Sequence, residues 1–110
     1  MSDSAIERKR RPTHPGALLR GMLAEMAEDA DAQFQPLTQA ELARRLGVSR
    51  RTVNELIHER RNMTADMAIR LSRVLKTTPD IWLNLQKAVD LWDAAHANKN
   101  EYAKLKPIAA

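Results

Sequence analysis

The chain has 110 residues, a length that suits one domain, and carries a formal net charge of +4. It contains no Cys, which excludes disulfides, zinc fingers and cysteine nucleophiles and suits a reducing compartment. Hydrophobic residues make up 44% but only four are aromatic, a composition that favours helices over an all-β fold. No stretch has the apolar length of a signal peptide core or membrane span, so we expect a cytoplasmic protein without membrane contact.

Charge is concentrated in particular segments. Residues 21–41 contain five acidic and no basic residues, whereas residues 42–61 contain six arginines and two glutamates. A block of paired arginines is typical of a nucleic-acid-binding surface, although solvated helix faces carry such pairs too. Residues 1–13, with four consecutive basic residues from Arg8 to Arg11, are predicted to be a mobile basic arm. Three interpretations of this arm stay open: it is simply a solvated terminus, it contacts phosphates, or it contacts an acidic partner.

The first predicted helix spans residues 15–28. Pro15 suits a first helical position, and an apolar stripe recurs with helical spacing at Leu18, Leu19, Met22, Leu23 and Met26. Residues 28–36 are acidic, without periodicity and end in proline, which predicts a loop.

Two short helices follow, separated by a tight turn. Thr38 and Glu41 form a capping-box pattern at the start of helix 2, which is expected to end before Gly47. Ser49 is a good N-cap for helix 3, predicted over about residues 50–58. Thr64 caps a fourth helix. This arrangement is a helix-turn-helix pattern.

The fifth predicted helix covers residues 79–97 after the N-cap Thr78. On a helical wheel its core face contains Ile81, Leu85, Ala88, Val89 and Trp92, with Trp82 at the margin. Leu83, Leu91 and Ala94 fall on the far side, where they are candidates for a dimer or partner surface, or ordinary exposed apolar residues. The predicted organisation is thus an arm, a helical domain over residues 14–98 and a tail over residues 99–110.

In a helix-turn-helix, the second helix of the motif, which is helix 3 in this chain, enters the major groove of DNA. Four outward residues of helix 3 are candidate base readers, because Arg pairs with guanine, Asn with adenine and Glu with cytosine: Arg50, Arg51, Asn54 and Glu55. The surrounding polar residues are suited to contact phosphates: Gln39, Ser49, Thr52, His58, Arg60 and Arg61. For Arg44 and Arg45, a phosphate contact and a plain solvated charge are equally favoured.

No enzymatic site is predicted. His14, His58 and His96 lack metal-ligand spacing, and neither a glycine-rich phosphate loop nor a nucleophile elbow is present. We therefore expect no catalytic residues, no metal and no cofactor. A protein-interaction module with a vestigial helix-turn-helix is an alternative class, which salt-insensitive DNA affinity would favour.

Four segments carry a resemblance to a known family: His14–Gly16, Leu42–Val53, Met63–Leu71, and Thr78–Gln86 followed by Asp90-Leu-Trp92. On these residues the chain resembles the HigA-type antitoxins, or addiction-module antidote proteins, of the XRE helix-turn-helix superfamily over residues 14–95. The last two segments are the most specific, because a generic helix-turn-helix matches only the first half.

The resemblance implies an all-α, five-helix, λ-repressor-like domain with a long C-terminal helix. It also implies a homodimer that represses its own operon by binding operator DNA, and that neutralises an mRNA-cleaving toxin, a small basic RNase of the HigB/RelE-like type. A stand-alone XRE-family repressor without a toxin is the alternative. One departure concerns helix 3: the family usually has Asn-Gly after it, where this chain has His58-Glu59.

Overall fold

The computed structural model of the chain describes residues 5–28 and 37–109. Over these ranges the chain is helical, without a strand, and the all-α prediction is confirmed. Most of the predicted acidic loop, residues 29–36, and the first four residues of the predicted arm lie outside the described residues. After a 3-10 turn at Ala5–Glu7, the helices are α1 Pro15–Glu28, α2 Gln39–Leu46, α3 Arg50–Ile57, α4 Ala65–Leu75, α5 Pro79–Ala97 and α6 Lys99–Ala103.

Apolar side chains from α1 to α5 meet in one hydrophobic core. Helix α3 packs against α2 and α1, and it turns Val53, Leu56 and Ile57 into the core. The core side chains without any exposed surface are Leu19, Leu42, Val53, Leu56, Ala68, Leu71 and Trp82.

Side-chain caps define the starts of α2, α3 and α4. The hydroxyls of Thr38, Ser49 and Thr64 accept from the backbone N–H three residues on, at 3.1 to 3.2 Å, as the sequence predicts. The Glu41 carboxylate, however, accepts hydrogen bonds from Arg44 and Arg45 and does not complete the predicted capping box. At the start of α5, Thr78 makes no side-chain cap, and Pro79 occupies the first turn.

The start of helix α1 lies very close to the backbone at the end of α3, and the His14-Pro15-Gly16 segment makes this close approach possible. A Cβ atom on Gly16 would lie 1.8 Å from the Leu56 carbonyl oxygen, so only glycine fits there. The buried His14 ring caps α1, because its Nδ1 accepts from the Gly16 N–H at 2.9 Å. Burial lowers the pKa of His14. A ring nitrogen that accepts carries no proton, so the imidazole is neutral with its proton on Nε2.

Residues 5–13 differ from the mobile arm that we expected from their composition. Ala5 and Pro12 are buried, the Arg11 guanidinium donates to both Asp93 carboxylate oxygens at 2.8 Å, and Trp92 Nε1 donates to the Arg8 carbonyl at 3.0 Å. The segment therefore packs along α5. These two partners on α5 lie more than 80 residues away in the sequence, so no local pattern could indicate them.

The buried face of α5 is rotated from the predicted one. Trp82, Gln86 and Val89 are buried, whereas Ile81 is 42% exposed. Leu83, predicted on the far side, instead packs against the core. The cause is Gln86, a polar residue that the apolar pattern excludes from the core face but that accepts from the Met63 N–H at 2.7 Å.

The close approach of α1 to α3 leads to a stability prediction. We expect Gly16→Ala to lower the free energy of unfolding by about 3 kcal/mol, because the new methyl group must displace a backbone carbonyl. Gly21→Ala is the matched control on the same helix, where an added Cβ meets nothing within 4 Å. It should raise the stability by about 1 kcal/mol through helix propensity. Urea denaturation measures both, and equal effects would contradict the assigned role of Gly16.

Candidate nucleic-acid interface

The turn between α2 and α3 is built from residues 47–49. Gly47 has a φ of 72°, in the left-handed region, and its N–H closes the last turn of α2 on the Ala43 and Arg44 carbonyls. Ser49 then caps α3 and also bonds to the Thr52 hydroxyl at 2.8 Å. Since α3 turns Val53, Leu56 and Ile57 into the core, its opposite face is left to solvent.

That outward face carries the four predicted base readers. Arg50 and Arg51 are exposed, with 86% of the Arg51 side chain accessible. Asn54 is half-buried, and its Nδ2 donates to Gln39 Oε1 at 3.1 Å, which ties the start of α2 to α3. The second amide hydrogen and the Oδ1 atom of Asn54 stay available for an adenine edge.

Glu55, the fourth predicted base reader, is engaged by two arginines. Its Oε2 lies 3.4 Å from Arg51 Nε and its Oε1 lies 3.2 Å from Arg61 Nη2. The hydrogen bond from Arg61, with the charge of Arg51, lowers the pKa of Glu55. Its carboxylate is therefore ionised and shared between two guanidinium groups, and its assignment as a cytosine reader stays a prediction.

The residues predicted to contact phosphates have different surroundings. Gln39 and Thr52 are half-buried, and Ser49 and Thr52 are used in capping α3. The exposed His58 ring bonds through Nδ1 to the Asn54 carbonyl at 2.8 Å. Among the described residues, Arg60 is exposed without an ion-pair partner, whereas Arg61 is paired with Glu55.

Two residues were missed by the sequence reasoning. Glu41 holds both Arg44 and Arg45, and their hydrogen bonds lower the pKa of Glu41 to about 2. Its spacing of three and four residues from these arginines is a signal that could have shown this. Arg70 donates to the Leu46 carbonyl at 2.8 Å and so caps α2 from α4, a contact across 24 residues that no local pattern shows.

Neither a metal cluster nor a membrane-spanning helix is found among the described residues. Nowhere in residues 5–28 and 37–109 do three or more metal-ligating side chains gather. In the same ranges, no helix combines the length and apolar character needed to cross a membrane.

Comparison with known proteins identifies the family. The helix-turn-helix family model HTH_3 matches residues 37–82. The antitoxin HigA-1 of Vibrio cholerae is 39% identical over 100 residues, which cover 91% of this chain and 87% of the relative. The chain belongs to the HigA-type antitoxins of the XRE helix-turn-helix family. The resemblance drawn from the sequence is confirmed.

Solved structures of similar proteins include complexes with promoter or operator DNA. The Pseudomonas aeruginosa antitoxin HigA with the higBA promoter superposes with a TM-score of 0.76 at 39% identity, covering 89% of this chain and 99% of that one. The P. aeruginosa protein PA4674 in complex with 28 bp of operator DNA gives a TM-score of 0.74 at 40% identity, with coverages of 89% and 100%. The HigA-type family consists of DNA-binding regulators and not enzymes.

The different surroundings of the arginines lead to a prediction for DNA binding. We expect Arg51→Ala to weaken operator binding by about 1–3 kcal/mol with the loss confined to particular base pairs, because an exposed guanidinium on the outward face of a helix-turn-helix can pair with a base edge. Arg60→Ala should weaken binding to all sequences equally and flatten the salt dependence, as expected for a phosphate contact. Titrations against single-base operator variants at several salt concentrations measure both. A base-selective loss with Arg60→Ala would contradict the division.

Proposed function

We propose that the chain is an antitoxin that acts as a homodimer in the cytoplasm, binds operator DNA with α3 in the major groove, represses its own operon and neutralises a small basic RNase toxin of the HigB/RelE-like type. The observation that carries the DNA-binding part is the exposed face of α3. It presents Arg50 and Arg51 to solvent while Val53, Leu56 and Ile57 hold the helix in the core. This is the geometry with which a recognition helix reads base edges.

The charge distribution supports the same surface. The six arginines of residues 42–61 lie on or beside α2 and α3, where a positive potential attracts the phosphate backbone. The N-terminal arm carries a further basic run from Arg8 to Arg11, but Arg11 is committed to Asp93 and Glu59. We therefore assign the main phosphate contacts to the helix-turn-helix and not to the arm.

The toxin-binding part follows from family membership, and acidic residues outside the helix-turn-helix suit it. An RNase that binds RNA needs a basic surface, and acidic side chains attract such a surface over long range. Among the described residues, Glu25 and Glu28 at the end of α1 are exposed acids without an ion-pair partner. We place the toxin contacts away from α3, so that repression and neutralisation use different surfaces.

The homodimer is proposed to form through the outer side of α5. Leu91 is 40% exposed there and Ala94 is half-buried, whereas Leu83 packs inward and is removed from the proposed interface. Two-fold pairing is the commonest oligomeric state of soluble proteins, and it places two recognition helices about one turn of DNA apart.

Separating the two activities tests the antitoxin proposal. The double variant Arg50→Ala/Arg51→Ala should lose repression of an operator-fused reporter yet still rescue cells from the toxin encoded beside it. The matched control Arg73→Ala, an exposed arginine on α4, should keep both activities. If the purified chain forms no complex with the product of the adjacent gene, the antitoxin proposal fails and a stand-alone repressor is the better account.

The dimer proposal is tested on α5. Leu91→Asp should give a folded monomer in sedimentation analysis, because the residue lies outside the hydrophobic core. Leu83→Asp is the contrasting control and should lower the melting temperature instead, since it introduces a charge against the core. A Leu91→Asp protein that sediments as an unchanged dimer would place the interface elsewhere.

A further inference from the structure

Glu55 is the one acidic residue of α3, and it lies beneath two arginines of the proposed DNA-binding surface. Its side chain is 28% exposed, against 86% for Arg51 and 44% for Arg61. Each carboxylate oxygen serves a different guanidinium, at 3.4 Å to Arg51 and 3.2 Å to Arg61. Ion pairs that are this exposed contribute little to folding, so stability does not explain the arrangement.

The pairing constrains how Arg51 can meet a base. Glu55 takes the Nε atom of Arg51, which leaves both terminal nitrogens, Nη1 and Nη2, free. Two parallel N–H groups are what guanine O6 and N7 accept in the major groove. Glu55 thus orients the Arg51 side chain outward from the helix, so that its terminal Nη1 and Nη2 atoms are the ones that face a base edge.

The pairing also limits indiscriminate binding. Arg51, Arg61 and Glu55 together carry one net positive charge, where two free arginines would carry two. Affinity for DNA of any sequence rises with each phosphate that a cation neutralises. A carboxylate shared by two arginines therefore lowers binding to unrelated DNA without removing the donors that read bases.

We propose that Glu55 is a positioning residue that sets sequence specificity, by orienting Arg51 toward a base and by restraining Arg61 from unspecific phosphate binding. This inference rests on the proposed operator binding by α3. It replaces the expectation that Glu55 itself accepts from cytosine. Glu55 acts through Arg51 and Arg61 and needs no contact with DNA.

The test compares Glu55→Gln with wild type on operator DNA and on an unrelated duplex of equal length. Affinity for the unrelated duplex should rise about tenfold near 0.1 M salt, and its salt dependence should steepen by about 0.9, the effect of one additional phosphate contact. Affinity for the operator should stay constant or fall. The ratio of the two affinities should therefore drop by about tenfold or more.

Glu41→Gln is the matched control. Glu41 also holds two arginines, Arg44 and Arg45, but it lies on α2 and not on the recognition helix. Its removal should raise the affinity for both duplexes alike and leave their ratio unchanged. Thermal melts of both variants verify that the fold is kept.

A double variant identifies the route of action. If Glu55 acts through Arg51, then Glu55→Gln should cause no further loss of base selectivity in an Arg51→Ala background. Two outcomes would overturn the proposal: equal gains for Glu55→Gln on both duplexes, or a selectivity loss at one C·G pair that persists without Arg51. A wild-type chain that does not discriminate its operator would overturn the proposed function itself, before any variant is compared.

Discussion

The contact between α1 and the end of α3 positions the recognition helix, and it depends on the absence of a side chain at Gly16. The Leu56 carbonyl occupies the space that a Cβ would need. Beside it, Arg20 Nη1 donates to the Ile57 carbonyl at 2.6 Å, which places a cation at the negative end of the α3 dipole. Since α3 is held at its C-terminal end and along its inner face, Arg50 and Arg51 at its N-terminal end stay exposed to solvent.

Helix starts were predictable from the sequence because their determinants are local. Ser49 meets the Thr52 N–H, and Thr64 meets the Met67 N–H, within three residues of chain. Each such cap contributes about 1 kcal/mol, enough to specify where a short helix begins. The left-handed Gly47 belongs to the same class of signal. These features predicted the helix-turn-helix, and with it the exposed positions of Arg50 and Arg51.

The orientation of α5 was not predictable, because it depends on polar groups that find partners across the fold. Gln86 is buried since its side chain accepts from the Met63 N–H and donates to Asp90 at 2.8 Å. Trp82 is buried with its Nε1 donating to the Thr77 hydroxyl at 2.7 Å. A hydrophobic wheel treats a glutamine as exposed, whereas a glutamine whose hydrogen bonds are satisfied can enter the core. The same limitation applies to Glu55, whose pairing with Arg61 spans the end of the helix.

Glu59 shows how the chain accommodates its departure from the family's Asn-Gly pattern. The segment after α3 still closes as a Schellman motif, with the Arg60 N–H on the Glu55 carbonyl and the Glu59 N–H on the Leu56 carbonyl. This closure requires a left-handed residue, and Glu59 adopts it with a φ of 60°, at a cost of about 1 kcal/mol relative to glycine. Its carboxylate lies 3.5 Å from Arg11 and 3.6 Å from Arg20. A glycine would relieve the backbone strain but would remove a side chain that links both α1 and the N-terminal arm to the end of α3. Glu59 therefore adopts a strained backbone conformation, and its side chain connects the N-terminal arm, α1 and the end of α3.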